Sequence, residues 1–561
     1  MDSKKKLNLE WVTDIIGDDY KKWNEGDVVI IESQTGTGKT HFIKNILIKN
    51  ILDSSKKIYG DERDYDFGKK LLFICNRTNL KRQIKKDLLK LHKQEIPSTI
   101  EELDEITTIG RITVTSYQAI EEFILDEAYI GTKNPTFLLK YDYLVLDECH
   151  YIFSDSSFNN KTRLVFKELI ELYYHEAVKI FITATMNEII EPVEEHIERI
   201  KPTAEKFLLQ GRELTVHTYS TGIDYSYIGA KYFSNIETIV QIIKNDTSDD
   251  KWIVFVGAIK DGENIKSALG EDAVFIKSGT KNKELDSIIK ESKFSKKVLI
   301  ATKTLDNGIN IDDEKVKNIV IMTWDRITFI QMLGRKRIDI ENADTVNLYI
   351  PTRKVNEFEY FLEKYKTKLT EIVLCRENEK QFCRKYDNDL KAAGELNELF
   401  YIDRESRKWM VNPIGEKRLL ADIKFMEYMI DKFDEEGSFA FIKEQLLWIE
   451  LEDTFDEKSL IENDILKNER ESLEKFLEQL FLNKEIMYKL ENRQELIEKI
   501  NLRDGKNKNR LVKGKDALNG HLRDIGCQYF IKQFETSQTI DGNKKSYKAA
   551  WRIKKYKTSD N

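Results

Sequence analysis

Ten short runs of apolar residues punctuate the first 350 positions, and the stretches between them carry apolar residues at helical spacing. The first five runs are 28–33, 70–76, 111–117, 143–148 and 179–185; the second five are 251–258, 272–278, 296–302, 317–323 and 345–351. Unbroken stretches such as Val28-Val29-Ile30-Ile31 predict strands of parallel sheets buried on both faces, and their alternation with helices predicts α/β domains. A break over 200–213 reads as a junction between two such domains. Past Pro351 the strand pattern largely gives way to charged amphipathic helices. Leu473, Phe476, Leu477, Leu480 and Phe481, for instance, share one helical face. The expected spans are 1–205 and 206–352 for two tandem α/β domains, 353–500 for a helical region, and 501–561 for a small α+β domain.

That last span has its own pattern. Asp516 is placed as an N-cap, Ala517, Leu518, Leu522 and Ile525 form an apolar stripe, and Gly526 closes the helix. A strand over 527–536, a turn over 539–545 and a strand over 546–555 follow. Alternation puts Tyr547, Ala549, Trp551 and Ile553 on one face of the second strand and Lys548, Arg552 and Lys554 on the other. A helix followed by a basic hairpin resembles a winged helix, a module that typically docks on duplex DNA. The same pattern also suits a small cap whose lysines only confer solubility.

Composition narrows the setting. The 561 residues are 40% apolar, enough for several real cores, and only 6 prolines occur, which excludes long proline-rich linkers. Cysteines 75, 149, 375, 383 and 527 form no C-x-x-C pair, so neither a disulfide frame nor a zinc site is expected. The segment "MDSKKKLNLEWV" lacks an apolar core and no stretch approaches membrane-spanning length, so a cytoplasmic location away from membranes is expected. The net charge of −7 conceals an asymmetry: residues 501–561 hold 15 Lys and Arg against 6 Asp and Glu. A nucleic-acid partner would meet that basic end first.

Candidate chemistry begins at "SQTGTGKT", 33–40, between the first strand and a helical pattern of Phe42, Ile43, Ile46 and Leu47. Such a loop bares backbone N–H groups toward phosphates at a helix N-terminus. Thr35, Gly36, Thr37 and Gly38 supply the cradle, Lys39 the cation for the outer phosphates, and Thr40 a hydroxyl for Mg²⁺. Ser33 stands where the usual pattern has its first glycine. "YLVLDE" then ends a buried strand in Asp147 and Glu148, at the strand end where α/β sheets place ligands. Asp147 can hold the metal ion and Glu148 can polarise the attacking water.

Asp147–His150 spells DECH, and over roughly 26–351 the chain resembles a superfamily 2 helicase of the DExH type. The motifs run in the family's order: 33–40, then "NRTNLKRQ" (76–83), "TSYQAI" (115–120), DECH, "TAT" (183–185), "WIVFVGA" (252–258), "ATKTLDNGINI" (301–311) and "QMLGRKR" (331–337). The resemblance implies two RecA-like domains that bind ATP and Mg²⁺ between them. Gln331, Arg335 and Arg337 would then act on the γ-phosphate from the second domain, Gly308 would border the nucleotide, and His150, Thr183 and Thr185 would couple hydrolysis to movement. Arg77, Thr115 and Thr302 would touch a nucleic-acid backbone, joined by Lys548, Arg552 and Lys554 of the C-terminal module. Two positions depart from the family: Asn310 replaces an aspartate, and Arg337 falls one residue early. No adenine-recognising glutamine precedes the loop. DNA is the expected polymer, with replication, repair or defence proteins as further partners. An RNA-directed ATPase and an ATP-switched DNA-binding protein are the alternatives.

Overall fold

A computed structural model describes residues 4–53, 68–130, 141–157, 159–172, 177–203, 205–206, 211–277, 280, 283–303, 310–387, 396, 398–403, 406–503, 510–540 and 543–556. The chain divides into two compact units, Met1–Glu457 and Lys458–Asn561.

The first unit holds two sheets. Strands β1 (Val28–Glu32), β2 (Leu71–Ile74), β3 (Thr108–Ile109), β4 (Ile112–Thr115), β5 (Tyr143–Asp147), β6 (Val178–Thr183) and β7 (Val216–Ser220) form one of seven strands, in the order β3-β4-β2-β5-β6-β1-β7. All neighbours are parallel except β3 with β4. The unbroken apolar runs are explained by the pleat. Val28 and Ile30 enter one core with Leu72, Leu144 and Phe181, while Val29 and Ile31 enter the opposite core with Phe73, Val145 and Ile180.

The second sheet contains β8 (Ile228–Phe233), β9 (Lys251–Phe255), β10 (Ala273–Ile276), β11 (Val298–Ala301), β12 (Val316–Ile321) and β13 (Val346–Pro351). It is parallel throughout, in the order β10-β11-β9-β12-β13-β8. All ten expected runs form strands. Three strands of these two sheets, β3, β7 and β8, were not foreseen, and one moves the first lobe's edge: β7 pairs with β1 although it lies beyond the expected junction at 205.

A helical region follows, with Val355–Glu377, Pro413–Glu436 and Ala440–Leu447, and a hairpin of β14 (Phe400–Ile402) with β15 (Trp409–Val411). Rings fuse it to the second lobe: Trp324 lies 5.2 Å from Phe358 and 5.8 Å from Phe441, and Phe329 lies 5.5 Å from Trp448. It reaches the first lobe too. Ile414 sits in that lobe's core, and the Arg163 guanidinium lies 3.6 Å from the Tyr401 ring centre.

The second unit packs helices Ile461–Leu482, Gln494–Ile500 and Lys515–Asp524 against a long antiparallel hairpin of β16 (Tyr529–Ile540) and β17 (Asn543–Lys555). Leu473, Leu477 and Leu480 share one core with Leu518, Leu522, Ile531, Trp551 and Ile553. The amphipathic helix expected in the accessory region therefore belongs to this unit, which begins some forty residues before position 501. Two local readings are corrected. Gly514, not Asp516, caps the helix, leaving Asp516 in its first turn. A β-bulge between the Phe534 and Thr536 pairings shifts the alternation, so Ala550 is buried and Ala549 exposed.

Candidate active site

Three adjacent strands of the first sheet, β5, β6 and β1, end side by side and carry the chemistry. Ser33 N–H donates to Thr183 O (3.0 Å), joining the ends of β1 and β6. The loop then turns through Gly36 and Gly38, with φ of 100° and 88°, angles that strongly favour glycine. Ser33 Oγ and Thr37 Oγ1 lie 2.6 Å apart, and Thr37 Oγ1 donates to Gln34 O (2.8 Å), bracing the loop from within. Gln34 also exchanges two bonds with Asp224: its amide donates to Asp224 O (2.9 Å) and its oxygen accepts from Asp224 N–H (2.8 Å). Sequence patterns offered no sign of this tie between the loop and the connection leaving β7.

Lys39 opens the helix after the loop, buried, with its ammonium donating to Ser33 O (3.2 Å) and 3.7 Å from Glu148 Oε1. Burial pushes this lysine down to about 7, and the Arg77 guanidinium adds to the effect. Asp147 ends β5 with Oδ2 buried and without a hydrogen-bond partner. An orphaned carboxylate oxygen, with the Thr40 hydroxyl in the first turn of the helix after the loop, is a donor set that suits a hard divalent cation completed by phosphates and water. Glu148 follows at φ 51°, sparsely populated for a residue with a side chain, and forms an ion pair with Arg77.

The second lobe closes over these groups with the helix Arg326–Leu333. Asp325 caps it, accepting from Ile327 N–H (3.3 Å) and Thr328 N–H (3.1 Å), and lies 3.7 Å from Arg418 of the helical region. From that helix the Gln331 amide nitrogen reaches His150 Nε2. An amide nitrogen can only donate, so Nε2 accepts, and the ring proton sits on Nδ1, 2.7 Å from Thr183 Oγ1. Thr183 Oγ1 in turn lies 3.2 Å from Thr185 Oγ1. Burial, with Lys39 nearby, holds His150 down at about 3, which keeps the ring neutral as this chain of bonds requires.

Arg335, Arg77, Glu148, His150, Gln331 and Thr35 together line a cavity of only about 10 Å³, so the lobes stand nearly shut on one another. Arg337 is held down at about 10 by burial, then by Arg77 and Arg335. Several cations thus gather over two carboxylates, an arrangement that recruits anionic oxygens.

Residues of the DECH, T-A-T and Q-x-x-G-R segments therefore meet in one cleft. Arg77 does not lie where it was expected. Instead of facing a nucleic-acid strand it points into the cleft at Glu148, an orientation no residue pattern reveals. Thr115 ends β4, accepting from Cys75 N–H (3.1 Å), and Thr302 follows β11, donating to Ile276 O (3.3 Å). Gly308 lies outside the described residues. Lys548, Arg552 and Lys554 lie on β17 of the second unit. Gly334, which borders the cleft, was not singled out from sequence; Asn310, noted there only as a departure from the family, borders it too.

Family comparisons meet this geometry at both lobes. Residues 7–188 match the model "Type III restriction enzyme, res subunit", and residues 234–339 match "Helicase conserved C-terminal domain". The chain belongs to the superfamily 2 helicases. Its two lobes are accordingly the RecA-like pair of an ATP-hydrolysing, nucleic-acid-binding helicase. No curated protein matches the sequence. Among solved structures, S. cerevisiae Dbp5 bound to RNA and ADP BeF3 aligns at 17% identity and TM-score 0.39, covering 61% of this chain and 83% of that one. Mycobacterium smegmatis Lhr bound to ssDNA and AMP-PNP aligns at 14% identity and TM-score 0.37, covering 72% and 59% respectively. The DUF1998 helicase MrfA bound to DNA aligns at 15% identity and TM-score 0.40, covering 74% and 58%. The assignment rests on the two family matches. Among the described residues of this helicase, no helix is long and apolar enough to cross a membrane, and no cluster of three or more His, Cys, Asp or Glu could hold a metal ion by itself.

Proposed function

We propose that the chain is a DExH-type, ATP-dependent DNA translocase or helicase of the cytoplasm. ATP and Mg²⁺ are held between a first lobe reaching to about 221 and a second lobe ending near 352. The observation that carries this reading is the hydrogen-bonded chain from Gln331 of one lobe through His150 to Thr183 and Thr185 of the other, beside Lys39 and Glu148.

In this reading the N–H groups of Thr35–Gly38 cradle phosphates, Lys39 neutralises them, and Thr40 and Asp147 hold Mg²⁺. Glu148 polarises the attacking water once its pairing with Arg77 is loosened, and Arg335 and Arg337 neutralise the charge that accumulates in the transition state. Loss of the γ-phosphate releases Gln331 and the lobes part, transmitted through His150, Thr183 and Thr185. Thr115 and Thr302 would hold a strand by its backbone rather than read its bases. Lys548, Arg552 and Lys554 of a winged-helix-like module spanning 458–561 would supply a separate, salt-sensitive grip. The helix-plus-basic-hairpin layout of that module is what favours DNA over RNA, and it suits work beside replication, repair or defence proteins.

The deciding experiment is the ATPase rate with single-stranded DNA, duplex DNA and RNA at matched salt. Stimulation by either DNA supports the proposal. Stimulation by RNA alone overturns the choice of polymer, and no stimulation by any of the three overturns the translocase reading.

A further inference from the structure

The hairpin of the second unit has two faces of different chemistry. On the inner face Tyr529, Ile531, Trp551 and Ile553 are buried in the unit's core with Leu473, Leu477, Leu518 and Leu522. On the outer face the register places Phe530 opposite Lys554, Lys532 opposite Arg552, and Phe534 opposite Ala550. Phe530 lies 4.6 Å from Tyr556, which is 43% exposed, and the Arg552 guanidinium lies 5.1 Å from the Phe534 ring centre. Rings and cations therefore alternate along one face, on which Lys532 and Tyr556 are exposed and Phe530, Phe534, Arg552 and Lys554 are half-buried.

Two features point to what this surface takes. Lys532 and Arg552 are like charges directly opposite one another, an arrangement that costs stability unless an anion lies between or over them. The two strands together carry seven Lys and Arg residues and a single acid, Glu535. The second feature is the rings. Phosphate binding alone needs no aromatic groups beside the cations, whereas unpaired bases present π faces that aromatic side chains stack against. Phe530 and Phe534, four residues apart on one strand and so about 13 Å apart along it, bracket the Lys532–Arg552 pair.

We infer that the outer face of β16–β17 is a binding platform for single-stranded nucleic acid, on which bases stack against Phe530, Phe534 and Tyr556 while Lys532, Arg552 and Lys554 hold the intervening phosphates. The inference rests on the reading of this unit as a nucleic-acid-binding module and names the form of polymer it takes. A duplex, whose bases are stacked on each other, would use the cations and leave the rings idle.

The test uses the full chain and fluorescence anisotropy with labelled oligo-dT, oligo-U and a duplex of equal length, each titrated with salt. Phe530→Ala and Phe534→Ala should each weaken binding of whichever single strand the wild type takes by about 5- to 150-fold, the worth of one base stack. Duplex affinity and the salt slope should stay unchanged. Phe530→Trp, which keeps a π face, should bind as the wild type does. Lys554→Ala should weaken single strand and duplex alike and flatten the salt dependence by about 0.7 to 0.9 in slope. If both Phe→Ala variants keep wild-type single-strand affinity, or if Phe530→Trp binds as weakly as Phe530→Ala, stacking is overturned while the lysine effect stands. If Lys554→Ala and Lys532→Ala also change neither affinity nor slope, the reading of the unit as a nucleic-acid module fails with it. Comparison of oligo-dT with oligo-U shows which polymer is the source.

Discussion

Gly334 offers the sharpest test of lobe closure. It follows the helix Arg326–Leu333 with φ −70° and ψ −6°, torsions that alanine adopts without strain. The backbone therefore gives no reason for glycine, and the reason lies across the cleft. A Cβ added there would stand 2.5 Å from Thr35 Oγ1, 3.0 Å from its Cβ and 3.2 Å from its Cγ2. Rotating Thr35 relieves the first contact but not the second, so the lobes must back away. Overpacking of this kind costs about 1–3 kcal/mol, felt in the shut state only. The shut population, and with it turnover, should fall by about 5- to 150-fold. Steady-state ATPase at saturating nucleic acid measures this, with fluorescent-nucleotide binding as the control that the first lobe's loop is intact. Removing the obstacle should restore part of the loss: in the double variant Gly334→Ala/Thr35→Gly the two changes should couple by about 1–3 kcal/mol rather than add. Wild-type turnover in Gly334→Ala, or strict additivity with Thr35→Gly, would refute the geometry.

Other consequences are as direct. Glu148→Gln keeps the shape of the proposed base but not its charge, so ATP binding should persist while turnover drops by about 10²- to 10⁴-fold in steady-state assays. Ending the chain after Glu457 removes a complete unit and should preserve nucleotide binding while lowering salt-sensitive nucleic-acid affinity; ending it at 500 would split the core shared by Leu477 and Leu522 and should give a less stable protein in thermal melts. Burial raises the Asp422 carboxyl to about 6, against the pull of Arg418, so the folded chain keeps that proton longer than the unfolded chain. Stability from this group is accordingly lost as pH rises from about 4 to about 6, and the melting-temperature gap between Asp422→Asn and wild type should move in the variant's favour over that window.

The interior of both sheets was legible because a strand buried on both faces must be apolar along its length, as β1, β5 and β9 are apart from one charged residue at an end, Glu32, Asp147 and Lys251 respectively. The edges were not. In β7, Val216 to Ser220 alternates exposed and half-buried positions, and β8 begins Ile228-Gly229, so neither makes an unbroken apolar run. Amphipathicity in Ile461–Leu482 revealed that one face is covered but not what covers it, which is why that helix was given to the wrong region. The bulge beside Phe534 costs one residue of register, which strand alternation alone does not signal. At the site, the phosphate loop and DECH were readable because their chemistry fixes residue types at fixed spacing. The direction of Arg77 and the obstacle between Gly334 and Thr35 depend on two segments meeting across a cleft, and no local pattern encodes that meeting.

Groups from both lobes are proposed to act on one nucleotide, and Arg335→Ala separates that arrangement from a site built by the first lobe alone. Turnover at saturating ATP and nucleic acid should fall by about 10³- to 10⁵-fold, the worth of an arginine that neutralises transition-state charge, while ATP binding to the first lobe persists. Turnover equal to that of the wild-type chain would mean that Arg335 takes no part in hydrolysis and that the second lobe does not complete the site.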